Sequence, residues 1–242
     1  MRDTSHQSYK GLSMERVSLI EGNVPIVIFA PHGFQGNDEN TAILAESIAK
    51  QINAYAVINR GWERSDQVDC IKDKADCNNV DHCHTEVVQE EILEPLLRFV
   101  KKCKNIDKNV YVYNIHGMSD NHRKKAQDKI DLVVGFGAGK PDSFSMDLWR
   151  KDFFMHKLIH LGLNAYEGKS GGQFSGWART NMNQLFRKWY FDSSVQALQL
   201  EIVHELRSDK DMCHLMGDYI GTCMLELLHL VHFNPNVVYK SY

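Results

Sequence analysis

A chain of 242 residues, 43% hydrophobic and 24% charged, has ordinary globular composition, which excludes a disordered or fibrous protein and leaves room for one large α/β domain or two small ones. Its formal net charge of -3 offers no basic field for nucleic acid or for an anionic membrane surface, so neither is expected as a partner. Residues 1–23 lack the apolar core of a secretory signal, residues 225–233 are too short a run to span a bilayer, and six cysteines fall short of a disulfide scaffold; a cytoplasmic protein with reduced thiols is expected.

Residues 25–30 form a continuous apolar run of strand length, closed by Pro31-His32-Gly33. A helix follows, because Leu44, Ile48 and Ile52 recur every four residues, and Asn37-Asp38 is its expected cap. Residues 54–58 read as a second buried strand ending at Asn59-Arg60-Gly61. The polar stretch 61–84 is too long for a plain connector and is expected to be an inserted loop. Its Cys70, Cys77, His82, Cys83 and His84 could bind a separate zinc, although no Cys-x-x-Cys pair is present and solvated thiols are the plainer expectation.

Val88, Ile92, Leu96 and Val100 mark a second helix that Pro95 should kink or restart. Residues 110–115 are a strand by composition and run into His116-Gly117; residues 130–136 repeat the pattern. The glycines at 135, 137 and 139, followed by Lys140, look like a phosphate loop, but the spacing is too short and Pro141 stands where a Ser or Thr is needed. A helix over 146–161, a short strand over 163–166 and a Gly-rich loop over 167–175 come next. A strand at 197–203 and a long helix at 212–233, introduced by Asp209 and Asp211, close the chain. Alternating strands and helices predict a mostly parallel sheet covered on both faces, in a single domain.

Ligand sites in such sheets gather at the carboxyl ends of the strands, where this chain carries His32, Asn59, Arg60 and His116, with Glu201 inside the last apolar run. Two histidines and one carboxylate are a common ligand set for catalytic zinc, and Asp38 and Glu39 lie close after His32. Glycine beside each histidine is expected to leave room for substrate. Glu201 interrupts residues that would otherwise be Leu or Val, which suits a general base; Glu205 is its rival if the strand continues, and an ion pair between Glu201 and Arg207 is the structural alternative. Arg60, directly after a strand end, is the leading candidate for gripping a substrate carboxylate or an oxyanion, with Arg179 after the Gly-rich loop as the alternative and Asn59 nearby.

The run Ala197-Leu198-Gln199-Leu200-Glu201-Ile202, followed by Leu206-Arg207, resembles the base-bearing strand of the N-formylglutamate amidohydrolase family. Pro31-His32-Gly33 and Ile115-His116-Gly117 resemble that family's histidine motifs and those of the related phage-type poly-γ-glutamate hydrolases. In the latter an acid stands three residues before a threonine; with Thr41 here, the resemblance selects Asp38 over Glu39. Asp76-Cys77-Asn78-Asn79 matches only part of the Asp-x-Asn-Arg of the formylglutamate enzymes. What the resemblance implies is a zinc-carboxypeptidase-like, three-layer α/β/α fold with a mostly parallel mixed sheet. It further implies zinc on His32, Asp38 and His116, Glu201 as base, and hydrolysis of an amide beside a carboxylate in an N-acyl amino acid, γ-glutamyl or peptide substrate. The alternative is a non-catalytic metal-binding or sensor protein on an inactive hydrolase fold.

Overall fold

The computed structural model describes residues 17–33, 38–60, 76–82, 88–120, 129–140, 143–187 and 194–233. The expectations for Cys70, Cys83 and His84 lie outside them. Seven strands form one mixed sheet in the order β1-β3-β2-β4-β7-β5-β6, namely β1 Val17–Ile20, β2 Ile26–Ala30, β3 Tyr55–Asn59, β4 Val110–Met118, β5 Leu132–Gly135, β6 Ala165–Glu167 and β7 Val195–Val203. The central run β3-β2-β4-β7 is parallel, as is β5 with β6, whereas β1 pairs antiparallel with β3 and β5 antiparallel with β7. The central strands β2, β3, β4 and β7 are buried along nearly their whole length, as expected of strands covered on both faces.

Helices α1 Thr41–Ile52, α3 Leu148–His160 and α4 Lys210–Phe233 cover one face, packing Leu44, Ile48, Phe154, Ile220 and Leu227 against Ile28, Tyr113 and Leu200. Helix α2 Glu94–Ile106 covers the other, setting Leu96, Phe99 and Cys103 on Val27, Val57, Val112 and Ala197. On β3, β4 and β7 that second face turns from apolar to polar past the middle of the strand. Toward the carboxyl ends the same face carries Asn59, Asn114, His116, Gln199 and Glu201, all buried. The sheet thus changes from apolar core to a buried polar cluster along its own strands.

Most predicted elements are present, with instructive shifts. The helix at Pro95 restarts: a π-helical turn, Gln89–Leu93, gives way to α2, whose first turn holds the proline where its missing N–H is harmless. Of the expected cap, Asn37 lies outside the described residues and Asp38 does not take that position. The capping position is Asn40, left-handed at φ 64 and without a side-chain cap, because its amide donates instead to the carbonyls of Arg207 and Ser208. Strand β4 runs three residues beyond its predicted end, so His116 and Gly117 belong to the sheet. Strand β1 was not expected; it is short, half-buried and at the edge.

Candidate metal centre and catalytic crevice

Three elements bring the centre together. His32 follows β2, Asp38 precedes α1, and His116 is the seventh residue of β4. Asp38 Oδ2 lies 3.6 Å from His32 Nδ1 and 3.3 Å from His116 Nδ1, and the imidazole rings meet edge to face with centroids 5.3 Å apart. Zinc bound tetrahedrally at about 2.0–2.1 Å separates its ligand atoms by about 3.3–3.4 Å; the two Asp38 contacts are close to that length, and all three donor atoms lie within 4.8 Å of one another. A hard or borderline divalent cation fits this donor set. Among the described residues this is the group of His, Cys, Asp or Glu close enough to hold a metal ion.

Local folding explains why Asp38 and not Glu39 turns inward. Both the amide and the hydroxyl of Thr41 bond the Asp38 carbonyl, at 3.1 and 2.7 Å, and the left-handed Asn40 reverses the chain immediately after. Glu39 is exposed, and its carboxylate faces His204 at 3.7 Å. Burial by itself would raise the Asp38 pKa, but the hydrogen bonds and charges of His116 and His32 outweigh it and hold the carboxyl well below the usual range.

His32 is fixed from behind. Its Nε2 is 2.9 Å from Asp76 Oδ1, which also accepts from the Asn78 amide at 2.9 Å. Burial opposes ionisation of Asp76 and the bond to His32 outweighs it, leaving its pKa lowered. A carboxylate on the distal nitrogen sets tautomer and ring orientation, leaving Nδ1 for the metal. Asp76 was not singled out as a site residue by sequence. Its signal was the Asp-x-Asn spacing.

Glu201 is the register partner of His116 on the adjacent parallel strand. It is 8% exposed, and burial, more than the nearby Asp38, raises its pKa to about 7 against the opposing pull of His116, His32 and Arg207. Glu205 is led away: the strand stops at Val203, a 3-10 turn spans His204–Arg207, and Glu205 is exposed. Nor does Arg207 form the ion pair weighed for Glu201. Its guanidinium donates to the carbonyls of Ile202 and Met118, at 3.1 and 3.3 Å, and to that of Glu39, stitching the ends of β7 and β4 to the turn that carries Asp38.

The two glycines do not leave room for substrate. A Cβ at Gly117 would overlap the Arg207 guanidinium, and one at Gly33 would lie 2.6 Å from the Asn59 carbonyl and 2.7 Å from the Ala42 Cβ; protein fills both spaces. The remaining candidates are placed as follows. Asn59 is fully buried and donates to the Pro31 carbonyl at 2.8 Å, bracing the turn before His32. Arg60 donates to Ser18 at 2.6 Å and Glu46 at 2.5 Å, and no described interaction joins it to the histidines. Arg179 is largely solvated, with a 3.0 Å contact to exposed Asp81. The loop bearing it docks on the Asp76 segment through a bridge between Asn79 and Asn181 and a 2.7 Å bond from the Val80 amide to the Thr180 carbonyl. Cys77 is buried beside Asn59, and His82 Nδ1 accepts from the Asp76 amide, so neither belongs to a second metal cluster among the described residues.

No protein-family model matches the chain, and no curated protein matches it in sequence. Solved structures do. The N-formylglutamate amidohydrolase of Ralstonia eutropha superposes with a TM-score of 0.56 at 13% identity, over 90% of this chain and 98% of that one. A gene product of Agrobacterium tumefaciens gives 0.61 at 11%, over 90% and 96%, and a bacteriophage poly-γ-glutamate hydrolase 0.55 at 14%, over 88% and 89%. The chain shares their fold. The α/β sandwich implied by the sequence motifs is therefore the architecture present, and among the described residues no helix is long and apolar enough to cross a membrane.

Proposed function

We propose that this protein is a zinc-dependent hydrolase that cleaves an amide bond near a carboxylate, in an N-acyl amino acid of the N-formylglutamate kind or in a γ-glutamyl or peptide substrate. The observation that carries this reading is the register of β4 and β7, which sets Glu201 directly beside His116 while His116, Asp38 and His32 converge. Likeness in fold to an amidohydrolase and a poly-γ-glutamate hydrolase supports the same chemistry.

In this reading His32, Asp38 and His116 hold the ion, which when bound supplies Lewis acidity at the scissile carbonyl and makes water more acidic. Glu201 takes a proton from the attacking water. It then delivers that proton to the leaving nitrogen, a double duty suited to a carboxyl whose pKa burial has lifted to about 7. Arg179 grips the substrate carboxylate, exchanging its exposed contact with Asp81, an interaction of little net strength in water, for a bidentate one. Of the candidates at the end of β3, Asn59 braces the turn before His32 and Arg60 ties that strand end to β1 and α1.

Zinc stoichiometry followed by a screen of N-acyl amino acids and short γ- and α-linked peptides tests the reading. About one zinc per chain, lost in the double variant His32→Ala, His116→Ala, is expected. Zinc that survives both substitutions overturns the site, and a Glu201→Gln variant that keeps zinc and full turnover overturns the base.

A further inference from the structure

Gln199 stands two residues before Glu201 on the same face of β7, fully buried apart from about a hundredth of its surface. Its Nε2 donates to Glu201 Oε1 at 3.1 Å and to the Phe174 carbonyl at 3.1 Å, and its Oε1 accepts from Asn181 Nδ2 at 2.8 Å. Asn181 Oδ1 in turn accepts from the Asn183 backbone amide at 2.9 Å. A backbone N–H can only donate and a backbone carbonyl only accept, so both ends of this chain of amides are polarised by the main chain. The Asn183 N–H forces Asn181 to present its oxygen there and its NH2 to Gln199. Gln199 must then present its oxygen to Asn181 and its NH2 to Phe174 and Glu201, so the flip state of each amide is fixed.

Asn183 is itself tied to the sheet: it donates to the Gly135 carbonyl at 3.2 Å and accepts from Asn114, the register partner of Gln199 on β4. Gly176 closes the space beside it; at φ +70, a Cβ there would lie 2.5 Å from Asn183 Nδ2. The same loop reaches the Asp76 segment through the Asn79–Asn181 bridge, and Asp76 orients His32. One loop therefore touches the supports of both the metal ligand and the carboxylate.

We infer that Gln199 is the positioning residue for Glu201, and that Asn181 sets its direction. An N–H fixed on Oε1 anchors the carboxylate and leaves its other oxygen to handle the proton. The inference rests on the proposed role of Glu201 as base, and two variants separate the two ideas.

Gln199→Met removes the donor at nearly constant volume. Asn181→Asp, one step further out, keeps the acceptor for the Asn183 amide but replaces the NH2 facing Gln199 by an oxygen, so Gln199 must turn its own NH2 away from Glu201. Each is expected to lower kcat by about 10- to 100-fold with KM and zinc content nearly unchanged, because the chemistry and not the binding is misaligned. The double variant should lose no more than the worse single one, since both break one relay. Additive losses, or kcat within about twofold of the parent for Gln199→Met while Glu201→Gln is inactive, overturn the relay and leave the base in place. Glu201→Gln with full turnover overturns the base. A readout independent of turnover is the side-chain amide NMR signal of Gln199 in the purified protein: a shift on both Glu201→Gln and Asn181→Asp upholds the relay, and no shift overturns it.

Discussion

Asp38 owes its place to a single left-handed residue. With Asn40 at φ 64 and Thr41 clamping the Asp38 carbonyl, one of two adjacent acids is turned inward and the other to solvent. Asp38→Ala is expected to abolish zinc binding and Glu39→Ala to leave stoichiometry unchanged, as read by metal analysis. Asp76→Ala should weaken zinc by about 10- to 100-fold without removing the site, since it loosens the His32 ring and supplies no ligand. Glu201 makes a prediction of opposite character for the metal-free protein. Its folded pKa of about 7 lies above the value near 4.5 of a free side chain, so its contribution to stability is complete below pH 4.5 and is lost as the pH rises through 7. Glu201→Gln should therefore stabilise the metal-free protein by roughly 1–3 kcal/mol at pH 8.5 and by almost nothing at pH 4.5, measured by denaturant titration. His32, His116 and Glu201 were legible in the sequence because each stands out against an apolar strand. Asp76 showed only in its Asp-x-Asn spacing, because its partner His32 lies in a distant segment; Gln199 and Arg207 did not show their roles, because these are set by Asn181 and Phe174 and by the carbonyls of Met118 and Glu39. Arg60 was misleading for the same reason, its partner being Glu46 on the neighbouring helix.

At the level of elements, β2 and the first halves of β3 and β4 were readable because burial on both faces writes them as apolar runs, and β7 was readable despite its Gln199 and Glu201, while β1, four residues at the edge and half-buried, writes almost nothing. Strand ends were less readable. Whether Glu205 shared a face with Glu201 turned on the strand stopping at Val203, and the 3-10 turn there brings Arg207 back over Gly117. That packing is testable. Gly117→Ala should cost about 1–3 kcal/mol of stability by overpacking, measured by denaturant unfolding. Because the displaced guanidinium also holds the Glu39 carbonyl, it should lower zinc affinity as well, although Gly117 carries no ligand atom.

At the scale of the molecule, the proposed ligands and base come from the turn after β2, the turn before α1, β4 and β7, so under the proposed reading chelation should lower the melting temperature and zinc added back should restore it, by an amount that grows with the logarithm of free zinc over its Kd. The pairing of β4 with β7 carries a further meaning. Val110 lies opposite Val195, and between them the chain leaves the sheet centre, builds β5, α3 and β6 at one edge, and only then returns to insert β7 beside β4. During synthesis His32, Asp38 and His116, the proposed ligands, emerge long before that central strand exists. A nascent chain ending near residue 190 would hold all three proposed ligands and yet lack β7, the strand paired with His116, so under the proposed reading tight metal binding is expected to wait for β7 to close the sheet.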